Sequence, residues 1–296
     1  MKKGIYIWVI LWMVMASEMT MAQVNLQVVT KTVERSFDYQ RGDYVLLKGN
    51  KSNIKVIGWE LPQVKVEIKL TSKAKTKEIA QKELEFQKYV LEKKRDEIGM
   101  ANYYSYPEKN YKLQSLLLAS YTVYVPTNAT LDLSNEYGNI LLQDMVGEYT
   151  VTNRFGNLTL ENVGGSGTFN SYFGDCKVVG LSGQHELELN KTKTIISGLS
   201  GTTNITSNLG DVTITDISTI LKLELEAVKS DLSLSLAEDW DNYDLYFKSS
   251  YGEVIVDPEM VLNAAISDKK DLYIMKKKGQ PQIKATTTFG TITIAK

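Results

Sequence analysis

The central part of the chain repeats with a period of nine residues. Glycine returns at every ninth position from Gly138 to Gly210, and Thr192 is the one member of this series that is another residue. The series consists of Gly138, Gly147, Gly156, Gly165, Gly174, Gly183, Thr192, Gly201 and Gly210. A fixed short period indicates a repeat protein, in which each repeat buries its apolar face only by stacking on its neighbours.

Each nine-residue segment alternates apolar and polar residues. Apolar residues fill the third and fifth positions, and polar residues lie beside them. The pairs are Ile140 and Leu142, Tyr149 and Val151, Leu158 and Leu160, Cys176 and Val178, Val212 and Ile214, and Leu221 and Leu223. Alternation with a period of two predicts a strand with one buried face and excludes a helix, on which residues two apart point to different sides.

The segments end in two different ways that take turns, so the structural unit is twice as long. One type of corner carries Asp, Asn or Gly, as at Asp144 and Asn162, and the other places an aromatic residue before the next glycine, as at Phe155 and Phe173. Asp, Asn and Gly tolerate or cap left-handed backbone. We expect the aromatic corners to form an interior ladder.

These patterns predict an all-β fold, a single-stranded parallel β-helix or β-solenoid with about 18 residues per coil and coils stacked at about 4.8 Å. The aromatic corner reappears in 249–256 and 287–295, so further coils are expected there, separated by a longer excursion at 257–284. The alternative is a β-propeller or a β-sandwich, which needs hairpin turns and less uniform spacing.

The earlier part of the chain is less regular. Charge density rises in 73–86, which predicts a helix, and two strand-like segments around 93–97 predict a hairpin. We therefore expect a small helix-plus-hairpin insertion near 73–105 within N-terminal β coils at 23–125. Residues 126–296 would hold the β-helix repeats and the C-terminal coils, and the two parts would form one continuous domain.

Residues 1–22 have the features of a secretory signal peptide. Basic residues precede an apolar run over 5–16, and the small residues Thr20 and Ala22 place the cleavage point before Gln23. A membrane anchor is the alternative, but it needs about 20 apolar residues. We expect export through the general pathway to the periplasm, the cell surface or the medium, with no transmembrane span after removal of the leader.

Composition narrows the range of functions. The 296 residues include 34 Lys and Arg against 35 Asp and Glu, which excludes a strongly basic nucleic-acid binder. One Cys and one His exclude a disulfide framework, a multi-cysteine metal site and a histidine cluster. We expect no cofactor, no nucleic-acid partner and no catalytic centre.

Single reactive side chains favour structural roles. Cys176 and His185 both fall at third positions, which predicts a buried thiol and a hydrogen-bonded core or strand-end histidine; a general base flanked by Glu186 and Glu188 is the alternative for His185. Arg41-Gly42-Asp43 spells an integrin-binding tripeptide but is also ordinary turn chemistry.

Two further charge clusters favour solvated turns. The acidic stretch Asp239–Asp244 departs from the EF-hand spacing, which leaves a weak Ca²⁺ site as the alternative to a turn. The lysines at 276–278 are expected to be solubilising charges.

A polar surface is the remaining candidate for a ligand site. The outward positions of alternate strands form two columns of hydroxyls, amides and carboxylates with a spacing of about 4.8 Å. The first column is Thr150, Thr168, Glu186 and Asn204, and the second is Thr152, Asn170, Glu188 and Thr206. Such a face suits repeated hydrogen bonds to a polymer such as a glycan; the alternative is a plain solvated face, since threonine is common in exposed strands.

The chain resembles the bacterial "putative adhesin" family of unknown function, secreted β-helical envelope proteins found in Bacteroidetes-like bacteria. The resemblance covers most of 43–296 and rests on the leader, on VIGWELPQVKVEIKL at 56–70, on YTVYVPTNATLDLSNEYGNI at 121–140 and on the aromatic-glycine corners. It implies a right-handed β-helix and an envelope location.

Together these observations predict a non-enzymatic, secreted or periplasmic β-helix that acts as an adhesin, binding module or structural module of the cell envelope, with a glycan or an envelope protein as its partner. A carbohydrate-active β-helix enzyme and an envelope-sensing partner of a membrane regulator are the alternatives. The enzyme would need converging carboxylates in a cleft. The oligomeric state is left open by the sequence.

Overall fold

A computed structural model describes residues 26–236, 240–262, 266–267, 270–274 and 280–295. The predicted leader, Asp239 of the acidic stretch and the lysines at 276–278 lie outside the described residues. The strands are β1 (Gln27–Asp38), β2 (Tyr44–Asn50), β3 (Ser52–Trp59), β4 (Gln63–Ala74), β5 (Gln87–Lys94), β6 (Glu97–Tyr104), β7 (Leu116–Pro126), β8 (Thr130–Glu136), β9 (Ile140–Met145), β10 (Glu148–Arg154), β11 (Leu158–Val163), β12 (Ser166–Leu181), β13 (Gln184–Asn208), β14 (Val212–Val228), β15 (Leu232–Leu236), β16 (Asp244–Ser249), β17 (Val254–Ile255), β18 (Ile266–Ser267), β19 (Asp271–Ile274), β20 (Gln282–Thr287) and β21 (Ile292–Ala295). The helices are α1 (Lys77–Leu84) and α2 (Pro258–Leu262), and Trp240–Asn242 forms a 3₁₀ turn.

The protein is all-β and solenoid-like, and its described strands belong to one sheet. Each turn of the chain contributes one extended segment to each of two faces, and the long strands β12, β13 and β14 continue from one face to the other. On the first face Thr150 of β10 lies opposite Asp132 of β8 and Thr168 of β12 in parallel pairing. On the second face Leu160 of β11 lies opposite Leu142 of β9 and Val178 of β12. We call these the front face and the back face.

The interior between the two faces is filled by the alternating apolar residues. Val151 on the front face and Leu160 on the back face are both 0% exposed. Along the front face the inward column consists of Leu133, Val151, Phe169, Leu187 and Ile205, all buried. The predicted inward positions of β9 to β12 are therefore confirmed.

Leu221 is an exception, because it is 69% exposed although the alternation predicts it to face inward. Thr219 adopts a left-handed backbone with φ of +50°, and the adjacent Ile220 is buried instead. Thr202 pairs with Lys222, whereas Thr194 pairs with Val212, so the coil gains residues at this corner. Gly201 pairs with Ile220 and Thr202 with Lys222, so Leu221 is the unpaired residue of a β-bulge and turns outward, whereas Leu223 is buried as predicted.

Most of the periodic glycines are explained by close approach between coils. A Cβ on Gly156 would lie 2.0 Å from the carbonyl oxygen of Gly138, and one on Gly174 would lie 2.1 Å from that of Gly156. Thr192 occupies the same corner with a buried hydroxyl that donates to the carbonyl oxygens of Ser171 and Asn190 at 3.0 and 3.1 Å. The departure from glycine is thus accommodated by hydrogen bonds.

The aromatic ladder exists, but it lies on the outside, so the predicted interior location is wrong. Tyr137, Phe155 and Phe173 stack with ring centroids 5.0 and 4.9 Å apart and are 49%, 43% and 45% exposed. Each has a left-handed backbone, with φ of +62°, +58° and +60°. This conformation interrupts the alternation, so the side chain turns outward, and the buried positions at this corner are taken by polar residues such as Asn153 and Ser171.

At both ends the spatial order of the coils differs from their order in the chain. The coil of β2 and β3 lies between that of β8 and β9 on one side and β6 and β7 on the other. At the other end β20 lies between β14 and β16, and β21 between β15 and β17. The last strands of the chain are therefore inserted between two earlier coils.

The predicted helix and hairpin are both present. Thr76 caps α1, with its hydroxyl accepting a hydrogen bond from the Ile79 amide at 3.3 Å. β5 and β6 pair antiparallel around Arg95, which has φ of +56°. Because β6 also pairs with β2, the hairpin covers the first rung of the front face.

Glu83 of α1 connects the helix to the segment before β7. Its carboxylate is 1% exposed and accepts hydrogen bonds from the amides of Gln114 and Ser115, at 3.1 and 2.8 Å, and from the Tyr111 hydroxyl at 3.1 Å. Burial alone would raise the pKa of Glu83, but these donors outweigh it and lower the pKa below its ordinary value of 4.5.

A carboxylate with a lowered pKa stabilises the fold above its unfolded pKa, and that contribution is lost as the pH falls through the folded value. Glu83→Gln should therefore destabilise the protein by about 2 kcal/mol at pH 7 and flatten the decline in stability below the ordinary pKa of 4.5. Urea unfolding at several pH values measures both effects. A variant with wild-type stability at pH 7 would show that the carboxylate does not hold this segment.

Candidate functional site

A shallow depression with a volume of about 510 Å³ crosses the front face near the N-terminal ends of its strands. We call this depression the groove. It is lined by Tyr44, Thr130, Leu131, Asp132, Glu148, Tyr149, Thr150, Ser166, Gly167, Thr168, Gln184, His185, Glu186 and Asn204. The lining residues come from β2, β8, β10, β12 and β13. Parallel pairing in register places equivalent residues of successive coils side by side, so the groove runs along the stack.

The first predicted column lines this groove, and the second lies beside it. Thr150, Thr168 and Glu186 are opposite one another on successive strands, and Asn204 joins them in the lining. The second column places Thr152, Asn170 and Glu188 in register on the same face, with Thr206 exposed further along. None of these four belongs to the groove lining.

The floor of the groove is formed by the inward side chains below these columns. Gly167 occupies an inward position where β10 has Tyr149 and β13 has His185. A Cβ on Gly167 would lie 3.0 Å from Cδ2 of Tyr149, so the tyrosine occupies the space that a larger residue at 167 would need. The Tyr149 ring also lies 6.1 Å from the Phe169 ring. The absence of a side chain at 167 therefore leaves room for the Tyr149 ring, which lines the floor.

Sequence reasoning missed several groove residues. Four of them lie at outward-facing positions of the same alternation as the predicted columns: Asp132, Glu148, Ser166 and Gln184. The two-residue period could therefore have predicted them. Tyr44 could not have been found this way, because it lies on β2, which joins the front face next to β8 through tertiary pairing alone. Its hydroxyl donates to Oε2 of Glu97 at 2.7 Å, which fixes the ring at the end of the groove.

His185 has the geometry of a core histidine, as predicted. It is 1% exposed, its Nε2 lies 2.9 Å from the Ser182 carbonyl oxygen, and its ring packs 5.6 Å from the Phe169 ring. Burial lowers the pKa of His185, so the ring is neutral at physiological pH. A neutral ring that donates from Nε2 to a carbonyl cannot also take a proton there as a general base.

Cys176 is buried as predicted, with 2% exposure. Burial raises the pKa of its thiol to about 12, so the thiolate is scarcely populated. Since the thiolate is the reactive species, this cysteine packs as a small apolar residue and does not act as a nucleophile.

Asp43 of the Arg-Gly-Asp tripeptide is used inside the fold. It is 8% exposed, and its Oδ2 accepts hydrogen bonds from the Gln40 amide at 2.7 Å and from Nζ of Lys93 at 2.5 Å. Burial opposes its ionisation, but Lys93 and the amide outweigh it and lower the pKa of Asp43. The carboxylate is therefore held by the hairpin and is not displayed for a receptor.

The described residues offer little for a metal ion or a membrane span. They contain no group of three or more His, Cys, Asp or Glu side chains arranged to hold a metal. Among them there is also no helix that is both long and apolar enough to cross a bilayer.

Carboxylates of the front face differ in how they are neutralised. Glu224 on β14 lies 2.9 Å from Nζ of Lys222 and 2.5 Å from Nζ of Lys284. Hydrogen bonds from these two lysines lower its pKa to about 2. Asp132, Glu148 and Glu186 in the groove are exposed and make no ion pair within the described part of the chain.

The stacked coils, the continuous core and the polar groove define an all-β, solenoid-like repeat protein. The chain belongs to the family described as Toastrack DUF4097, whose model matches residues 45–295. This confirms the family resemblance read from the corners and strands of the sequence.

The solved structures to which the chain is similar include proteins from Bacteroides, Parabacteroides and Clostridium. A "putative adhesin" from Bacteroides fragilis is 10% identical, with 90% of this chain and 97% of that chain covered and a TM-score of 0.47. A "putative adhesin" from Parabacteroides merdae is 9% identical, with 91% and 97% covered and a TM-score of 0.34. A "putative cell adhesion protein" from Clostridium sporogenes is 11% identical, with 90% and 99% covered and a TM-score of 0.26. No curated protein matches the chain significantly.

Proposed function

We propose that this protein is a non-enzymatic binding module of the bacterial cell envelope that holds a glycan chain along the groove. The observation that carries the proposal is the groove itself, in which hydroxyl, amide and carboxylate groups recur on successive parallel strands. Regularly spaced hydrogen-bonding groups on a rigid sheet match a polymer with repeated hydroxyls, and a rigid surface loses little entropy on binding. The ligand face comprises Thr150, Thr168, Glu186 and Asn204 in the groove, with Thr152, Asn170, Glu188 and Thr206 beside them.

The location and the finer architecture belong to the same proposal. The leader at 1–22 supports export to the periplasm or the cell surface. We take the coils to form a single-stranded parallel β-helix of about 18 residues per coil, right-handed as the family resemblance implies. Residues 23–296 then make one continuous domain.

The double variant Thr150→Lys with Thr168→Lys should weaken glycan binding by about tenfold or more, because two long charged side chains would fill the centre of the groove. Both threonines point outward, so the melting temperature should stay close to that of the wild type. Binding is measured on a glycan array and then by calorimetry with the ligands found.

The matched control is Thr159→Lys with Thr213→Lys, which makes the same change on the back face and should leave binding unchanged. Equal binding by the groove variant and the wild type would move the site elsewhere. A depolymerisation assay on the same glycans tests the enzyme alternative: saccharide release that disappears with Glu186→Gln would contradict a pure binding role.

A further inference from the structure

The groove carries negative charge and no positive charge in its lining. Asp132, Glu148 and Glu186 line it, whereas no Lys or Arg does. His185 in the floor adds no charge, because burial keeps its ring neutral. The remaining polar groups are the hydroxyls and amides of Ser, Thr, Tyr, Gln and Asn side chains.

These three carboxylates are spread along the direction of the stack. Asp132, Thr150, Thr168 and Glu186 occupy one column in register, so Asp132 and Glu186 are three coils apart, or about 14 Å at the usual strand spacing. Glu148 lies in the neighbouring column, on the strand next to that of Asp132. The groove thus offers negative charge at several points along the length of an extended ligand.

Other carboxylates on the front face are neutralised by lysine side chains. Glu224 is held between Lys222 and Lys284, and Glu226 lies 3.5 Å from Nζ of Lys284. Asp132, Glu148 and Glu186 have no such partner within the described residues, although they sit in the concave part of the face. The groove therefore presents three carboxylates that no lysine neutralises within the described residues.

We infer that the glycan held by the groove carries ammonium groups, as a polymer with de-N-acetylated amino sugars does; this inference rests on the proposed function. Ammonium groups donate charge-assisted hydrogen bonds to carboxylates, and these are stronger than neutral ones. Hydroxyls of the same sugars find partners in the threonine column. Uronate, sulfate or phosphate groups would meet like charge along the whole groove and are rejected.

The test compares hexamers of glucosamine and N-acetylglucosamine by calorimetry with the full chain, at a pH at which the glucosamine amines are protonated. We expect the glucosamine hexamer to bind about tenfold more tightly or better in low salt, and the difference to shrink as salt screens the exposed charges. Polygalacturonate should not bind.

The triple variant Asp132→Asn, Glu148→Gln and Glu186→Gln should remove the preference and leave the weaker binding of the N-acetylated hexamer. The control triple variant Glu136→Gln, Glu161→Gln and Glu226→Gln changes the same number of carboxylates outside the groove and outside the proposed ligand face, and it should keep the preference. Both variants alter exposed or half-exposed side chains, and thermal melts check that they fold.

The outcomes separate this inference from the proposed function. Equal binding of the two hexamers, or equal loss in both triple variants, overturns the inference and leaves glycan binding in place. Failure of every oligosaccharide to bind overturns both. A lysine-rich peptide is titrated in parallel, and binding of that peptide without any oligosaccharide would assign the groove to protein partners and overturn the glycan assignment.

Discussion

We expect Leu160→Asp to unfold the protein. Leu160 is 0% exposed and lies between Leu142 and Val178 of the adjacent coils. An unpaired carboxylate in this position costs several kcal/mol, and the lost apolar side chain adds about 2 kcal/mol or more. The sum is comparable with the whole stability of an ordinary domain. Circular dichroism should show a cooperative melt for the wild type and none for the variant.

The neighbouring Thr159→Asp provides the control. Thr159 points outward and is partly exposed, so the same charge one residue away should change stability by about 0.5 kcal/mol or less. If Leu160→Asp melted like the wild type, the inward register of the back face would be wrong. If Thr159→Asp also unfolded the protein, the loss would not come from burial of the charge.

Gly156→Ala should be almost as damaging, for a different reason. The added Cβ would lie 2.0 Å from the carbonyl oxygen of Gly138 and 2.5 Å from its carbonyl carbon. Neither is a flexible side chain, so the coils must separate at this corner, and we expect a loss of about 3 kcal/mol. Urea unfolding measures this loss.

Gly42→Ala separates close contact from backbone strain. Gly42 has φ of +97°, and a Cβ there would meet no atom within 4 Å. This variant therefore bears only the cost of an unfavourable φ, about 1 kcal/mol. A loss at Gly156 no larger than the loss at Gly42 would contradict the role of glycine in the stacking of coils.

The alternation of apolar and polar residues predicted the core well, because successive side chains of a strand point to opposite faces and every second residue is therefore buried. Val151 and Leu160 were placed inward by their positions in the segment, and both are fully buried. The rule failed at corners. Phe155 faces outward because its left-handed backbone interrupts the alternation, and Leu221 faces outward because it is the unpaired residue of a β-bulge.

The candidate site was predicted in part for the same reason. A period of two strands places Thr150 and Thr168 side by side, and the structure has them opposite each other. The lining of the groove was not fully predictable, because it includes the Tyr149 ring packed beside Gly167 and Tyr44 from a distant strand. Side-chain packing and long-range pairing leave no periodic signal in the sequence.

By itself, the sequence determined the strand type, the side of the sheet on which most residues lie and the corners that require glycine, since each follows from local backbone geometry and a repeated spacing. The tertiary structure alone decided the spatial order of the coils at the two ends. At one end β2 and β3 pair directly with β8 and β9, which come much later in the chain. At the other end β20 and β21 lie between strands that come earlier in the chain. The physical reason is that the edge of a β-sheet offers the same row of amides and carbonyls to any strand of suitable length, so the choice of partner depends on how the whole chain packs.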